Sequence, residues 1–262
     1  WMADLKQSPL TLNGIELEVR RQGRGETILL LHGAGGSAGL VPLVEELSEE
    51  YEILMPDHPG FGLSGDSKQT TTISDLAYHY LDFIEDQGLT DVHLVGHSMG
   101  GWIAAEIAIR SEAALKSLTL ICSAGIHVKG VPKGDLFLWS PEESARNIFV
   151  KQEAVDRILN YEPSDAELEV MIRNRVSAAK YAWHPRFYNP NLSKWLHRIS
   201  VPTLIVWGDQ DKIFPKDYAV AFKEYIPHAE VEVLEDCGHV PHVDRPDGFF
   251  PRLRSFLEGA TS

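Results

Sequence analysis

The pattern Gly96-x-Ser98-x-Gly100 carries the clearest chemistry in this 262-residue chain. The apolar, strand-like run Val92–Val95 precedes it, and the helix-like run Trp102–Ile109 follows it. A chain that turns sharply from strand into helix holds the intervening serine in a strained backbone conformation. Side chains at positions 96 and 100 would clash in that turn, which accounts for the flanking glycines. The turn lifts the Ser98 hydroxyl above the sheet and leaves the N–H of Met99 at a helix N-terminus, where negative charge is welcome. The plainer alternative is a helix N-cap serine at a glycine-rich turn. As a nucleophile, serine needs a base, and the base needs an acid to orient it. At such an elbow the chain order is serine, acid, histidine. Two downstream segments meet that order, and each follows a strand-like run. Trp207-Gly208-Asp209-Gln210-Asp211 offers two acids, and Asp236-Cys237-Gly238-His239 offers a base with His242 as its neighbour and rival. The chemistry implied is acyl transfer through a covalent acyl-enzyme.

These residues need a frame. Thr27–Leu31 is continuously apolar, as a strand buried on both faces would be. Glu52–Pro56, Leu118–Cys122, Pro202–Trp207 and Val231–Leu234 also read as strands, and Ile15–Arg21 alternates like an exposed edge strand. Leu40–Glu49, Ile73–Gln87, Lys216–Tyr225 and Arg252–Glu258 read as helices. Strands alternating with helices imply an α/β class with a mostly parallel sheet flanked by helices. In such a sheet, ligands gather at the C-terminal ends of the strands. The stretch from Gly125 to Arg198 breaks the rhythm, since it reads as helices with no strand. Ser140-Pro141-Glu142-Glu143 and Ser164-Asp165-Ala166-Glu167 are capping boxes. The second opens a helix whose apolar face is Leu168, Met171, Ile172, Val176 and Ala179. The domain expectation is a core of 1–124 and 199–262, interrupted by a helical cap, or lid, at 125–198.

Composition removes several classes. With 24 Lys+Arg against 38 Asp+Glu, the net charge is −14, which argues against nucleic acid or an anionic membrane surface as a partner. At 44% hydrophobic, the chain can bury a real core. No apolar run approaches the ~20 residues that span a bilayer, so no membrane insertion is expected. Trp1–Leu10 has no basic stretch followed by an apolar one, so the reading expects no signal peptide and a cytoplasmic location. Cys122 and Cys237 are read as buried free thiols. The histidines lack metal-ligand spacing such as H-E-x-x-H, so neither metal nor organic cofactor is expected.

Taken together, the motifs resemble the α/β-hydrolase superfamily, in its branch of small cap-bearing esterases and related hydrolases. Three more segments carry the resemblance. His32-Gly33-Ala34-Gly35-Gly36-Ser37 is similar to the family's HG-x-G loop. Asp57-His58-Pro59-Gly60-Phe61-Gly62-Leu63-Ser64 is similar to its D-x-P-G-x-G-x-S turn. The run from Gly238 to Pro246 is similar to its GH-x4-[E/D]-x-P segment. The resemblance covers essentially the whole chain. It implies Ser98 as nucleophile, His239 as base and then acid, and Asp211 as orienting acid, because Gly208, Asp211 and Pro215 fit G-x-x-D-x-x-x-P. Some relatives carry the acid after the sixth strand, where this chain reads Cys122-Ser123-Ala124 with no carboxylate. It further implies an oxyanion hole from the backbone N–H groups of Met99 and Ala34, with Gly35 as the alternative if the loop is shifted. His32 and His97 are expected to hold loops by hydrogen bonding, His58 to be a turn residue and Asp57 to brace its own turn.

The implied activity is a carboxylic ester hydrolase acting on a small-molecule ester, with homo-oligomerisation left open. Serine rather than aspartate at the elbow disfavours dehalogenase and epoxide-hydrolase chemistry. Carbon–carbon bond hydrolases of aromatic degradation are the alternative, but they usually carry Asn where His97 stands and Trp where Val240 follows the base. A hydrolase-like ligand receptor is the second alternative. Among the cap aromatics, Trp183, Phe187 and Tyr188 are the pocket-lining candidates, with Gly35 and Val240 beside the reacting groups.

Overall fold

The continuously apolar runs become the centre of one sheet. A computed structural model of the protein describes residues 9–260. The hairpin β1 (Leu10–Leu12) and β2 (Ile15–Leu17) leads into β3 (Val19–Gly23), β4 (Glu26–Leu31), α1 (Val41–Leu47), β5 (Tyr51–Pro56) and α2 (Ile73–Asp86). Then come β6 (Val92–His97), α3 (Met99–Ala108) and β7 (Leu115–Ile121). Three helices follow without an intervening strand: α4 (Pro141–Ile148), α5 (Gln152–Leu159) and α6 (Asp165–Ala182). The core resumes with β8 (Thr203–Gly208), α7 (Asp217–Tyr225), β9 (Glu230–Leu234), α8 (Pro241–Asp244) and α9 (Pro246–Gly259).

The seven-stranded sheet has the order β3-β5-β4-β6-β7-β8-β9. β3 runs antiparallel to β5, and the other neighbours are parallel. Every residue of β6 is buried, as is every residue of α3 behind it. A helix buried all round has no solvent face to offer, so α3 is fixed in place by packing on every side. That rigidity matters because α3 begins one residue after Ser98. The ends of β6, β8 and β9 deliver Ser98, Asp211 and His239 to the same edge of the sheet.

Three expectations need correction. The Ile15–Arg21 alternation is not one exposed edge strand. The chain divides it at Glu18 into β2 and β3, because the loop that follows β5 folds over it. Glu18 donates its N–H to Ser64 Oγ at 2.9 Å and accepts from the Asp57 N–H at 2.8 Å. The closing helix begins at Pro246 rather than Arg252, with proline in its first turn. The third concerns α6, where the apolar stripe faces water. Leu168, Met171, Ile172 and Val176 are 45–65% exposed, whereas Asn174, Ser177, Ala178, Tyr181 and Ala182 are buried.

The polar face of α6 docks because the loop beneath it presents backbone groups as well as side chains. Ser177 Oγ donates to Gly60 O at 2.6 Å, Arg173 Nε to Gly60 O at 3.1 Å, and Tyr181 OH to Pro59 O at 3.1 Å. Both capping boxes form as expected, at Ser140 and Ser164. Among the described residues, no helix is long and apolar enough to cross a membrane. The N-terminal targeting expectation falls largely on residues 1–8, outside the described residues.

Candidate active site

Ser98 has φ 55° and ψ −116°, a backbone conformation that L-residues rarely adopt. Its N–H donates to Ile121 O at 2.9 Å, and its C=O accepts from Ala124 N–H at 3.0 Å and Trp102 N–H at 3.2 Å. These bonds fix the peptide on both sides. The hydroxyl makes no capping bond to α3, so Ser98 is not an ordinary N-cap serine. The flanking glycines are required sterically. A Cβ at Gly100 would stand 2.0 Å from Leu31 O, and one at Gly96 would stand 2.3 Å from Gly100 O.

His239 lies in the turn between β9 and α8. Its Nδ1 is 2.7 Å from Asp211 Oδ2, with both residues about 4% exposed. Asp211 Oδ1 accepts from the N–H groups of Ile213 at 2.8 Å and Phe214 at 3.0 Å. Trp207 Nε1 donates to Phe214 O at 2.7 Å and so steadies that loop. The second oxygen of Asp211 is thereby committed to the ring, which places the proton on Nδ1 and leaves Nε2 as the basic atom. Nε2 is buried and has no hydrogen-bond partner among the described residues. Asp209 is turned elsewhere, since its Oδ1 accepts from Cys237 N–H at 3.1 Å. His242 is engaged with Gly39 O at 2.9 Å, and burial pushes its pKa down to about 4. Of the two acids and two histidines open in the sequence, Asp211 and His239 are the pair brought together.

The loops around this pair are held by histidines. His97 Nε2 donates to His239 O at 2.8 Å, linking the residue before Ser98 to His239. His32 and His58 stack with centroids 3.7 Å apart. His58 N–H donates to His32 Nε2 at 3.1 Å, which leaves His32 Nδ1–H to bond Gly33 O at 2.8 Å. His58 Nε2 donates to His32 O at 2.9 Å, and Tyr80 OH reaches its Nδ1 at 2.5 Å. Burial pushes the pKa of His32 down to about 4 and that of His58 well below the usual range, so both are neutral braces. Asp57 braces its turn through Leu63 N–H at 3.3 Å, and also reaches Arg20 at 3.1 Å and Ser37.

Met99 is the first residue of α3, and Ala34 lies in a loop bent by the Gly36 N–H to Gly33 O bond at 3.1 Å. A residue that sequence reasoning missed holds this loop. Asn174 of α6 donates Nδ2 to Gly35 O at 3.0 Å and accepts the Gly62 N–H on Oδ1 at 2.8 Å. It joins the helical insert to two glycine-rich loops at once. Flanked in sequence by Arg173 and Arg175, Asn174 carries no local signal of burial.

The aromatic candidates separate. Phe187 is 1% exposed and packs on Phe214 at 6.4 Å, whose ring in turn faces His239 at 5.7 Å. Tyr188 lies against His127 at 5.2 Å. Trp183 is 52% exposed and stacks with Arg186 on the outer surface. Val240, next to His239, is buried at the start of α8. Among the described residues, Cys122 Sγ, an Asp211 oxygen and a His239 nitrogen lie within 4.8 Å of one another, close enough to hold a metal ion. Burial pushes the Cys122 thiol well above its ordinary pKa.

A sequence profile of the alpha/beta hydrolase family matches residues 28–252, and the chain belongs to that family. The protein is 29% identical to Lipase 1 of Psychrobacter immobilis, over 98% of this chain and 86% of the relative. It is 27% identical to the 2-hydroxy-6-oxononadienedioate/2-hydroxy-6-oxononatrienedioate hydrolase of Klebsiella pneumoniae, over 90% of this chain and 88% of the relative. A crystal structure of a bacterial membrane phospholipase A superimposes with a TM-score of 0.81 at 27% identity, covering 98% of this chain and 87% of the other. The relatives support a hydrolase.

Proposed function

We propose that the protein is a serine carboxylesterase that cleaves small to medium acyl or aryl esters. The observation that carries this reading is His239, whose Nδ1 is bonded to a buried carboxylate at 2.7 Å while its buried Nε2 has no partner among the described residues. A histidine polarised on one side and unsatisfied on the other is poised to exchange a proton. Ser98 Oγ gives its proton to His239 Nε2 and attacks the ester carbonyl. The oxyanion is received by the N–H groups of Met99 and Ala34. His239 returns the proton to the leaving alkoxide. Water then enters, loses a proton to His239 and attacks the acyl-enzyme; His239 gives that proton to Ser98 Oγ as the acyl–oxygen bond breaks and the acid leaves. Asp211 holds the Nδ1–H of His239 in place through both steps. Phe187 is linked to the reacting groups through Phe214, whose ring faces His239 at 5.7 Å.

The test is a series of p-nitrophenyl esters of increasing acyl length, with wild type and Ser98→Ala. Wild-type turnover that falls by about 10⁴-fold or more in the variant is the expected result. A serine-reactive phosphonate that labels both proteins equally would overturn it. The carbon–carbon hydrolase reading draws on the Klebsiella relative. It would prevail if a meta-cleavage dienoate were turned over and every ester refused.

A further inference from the structure

We propose that Asp244 is a positioning residue that ties the seating of the helical insert to the placement of His239. The inference rests on the esterase reading in so far as His239 is the base. Asp244 ends α8 and is completely buried. Its carboxylate gathers backbone N–H groups from two separate parts of the molecule. Oδ2 accepts from Gly238 N–H at 2.9 Å, next to the base. Oδ2 also accepts from Val150 N–H at 3.1 Å, and Oδ1 from Lys151 N–H at 3.2 Å. Val150 and Lys151 form the link between α4 and α5 of the insert. A fourth bond runs the other way, from His239 N–H to Ile148 O at 2.8 Å.

The insert therefore grips the Gly238–His239 segment directly and through Asp244. The junction has no slack, since a Cβ at Gly238 would stand 2.4 Å from Ile148 O and 3.0 Å from Asp244 Oδ2. His239 is held from the core side by His97, which reaches its carbonyl at 2.8 Å. Its N–H side is held by the insert. The far end of the insert has separate anchors, the bonds of Asn174 and Ser177 to the loop around Gly60 and Gly62. Lifting the α4–α5 end would leave those anchors intact. It would break the His239 bond to Ile148 and the Asp244 bonds to Val150 and Lys151. Leaving a carboxyl group as buried as that of Asp244 without its donors is costly. Closure of this end and placement of the base thus occur together: an open insert has a displaced base.

The experiment compares Lys151→Pro with Lys151→Ala, alongside Asp244→Asn. Lys151 has φ −69°, which proline adopts, so Lys151→Pro removes one N–H donor while Lys151→Ala keeps it. Three quantities are read: kcat and KM on a short p-nitrophenyl ester, the acid limb of the pH profile, and the ¹⁵N signals of the His239 ring. Relative to Lys151→Ala, Lys151→Pro should lose about tenfold in kcat with KM within about twofold, and the acid limb should move. Asp244→Asn should lose more. Unchanged kcat, acid limb and ring signals in folded Lys151→Pro would overturn the proposal. A merely structural role would lower the melting temperature and leave the acid limb in place. If Asp244→Asn does not fold, the Lys151 pair decides. If the wild type turns over no ester, the esterase reading falls by itself. The ring signals then judge the latch: they differ between the two Lys151 variants if it positions His239, and coincide if it does not.

Discussion

Ser98 stores strain, and that strain can be measured apart from the hydroxyl. At φ 55° and ψ −116°, a non-glycine residue carries roughly 1–3 kcal/mol. Glycine would relieve it but costs about 0.5–1 kcal/mol through its freer unfolded chain. The relief outweighs that cost. Ser98→Gly should therefore unfold at higher urea than Ser98→Ala, by about 0.5–2 kcal/mol, although both lack the hydroxyl. Equal midpoints would mean that the elbow is not strained. The residues that were legible in the sequence are those whose backbone is constrained by neighbours of fixed type. Ser98 is framed by Gly96 and Gly100, His239 follows Gly238, and Asp211 is spaced from Gly208 and Pro215. Asn174 was not legible in this way, because its partners are backbone groups far away in sequence, and such groups leave no side-chain signature. Asp244 fills the acidic place of the segment from Gly238 to Pro246, but its reach to Val150 and Lys151 left no mark in the sequence for the same reason.

At the scale of elements, the parallel strands were readable because burial on both faces forces uninterrupted apolar runs, as in Thr27–Leu31 and Val92–Val95. The faces of α6 were not. Periodicity tells which residues share a side of a helix and assumes that the apolar side is the buried one. Here the supporting surface is the loop around Gly60 and Gly62, whose carbonyl and N–H groups select polar partners instead. Substitutions on the two faces should then behave opposite to the ordinary rule. Ile172→Gln and Val176→Gln, at positions 56% and 65% exposed, should change stability by no more than about 0.5 kcal/mol. Asn174→Ala should cost about 1–3 kcal/mol, because the Gly62 N–H and Gly35 O lose their partner in a buried setting. It should also slow ester turnover, since Gly35 adjoins Ala34, the proposed oxyanion donor. Urea unfolding of the three variants checks the ranking, and a costly Ile172→Gln would refute it.

The whole molecule responds to acid through two effects of opposite sign. Acidification neutralises part of a net charge of −14, which eases self-repulsion and favours the compact state. Against this stand buried histidines kept neutral by desolvation. Burial lowers the pKa of His32, His79 and His242 from 6.5 to about 4. Between those values the unfolded chain binds protons that the folded one refuses, so stability rises with pH across that window and falls as pH drops from 6.5 toward 4. For one such group the loss at pH 5, relative to pH 7.5, is about 2 kcal/mol. Three groups together reach about 6 kcal/mol, comparable with the whole margin of a domain, about 5–15 kcal/mol. The histidine effect is the larger, and the urea midpoint should fall steeply from pH 7.5 to 5. His79 isolates the cause. It lies on α2, is 3% exposed, and its Nε2 is buried without a partner among the described residues. His79→Phe removes one titrating group away from Ser98 and His239. Whatever it does to stability at pH 7.5, it should recover about 2 kcal/mol of the difference between pH 7.5 and 5. A pH dependence identical to that of the wild type would show that His79 is protonated in the folded protein, and that burial does not govern the acid response.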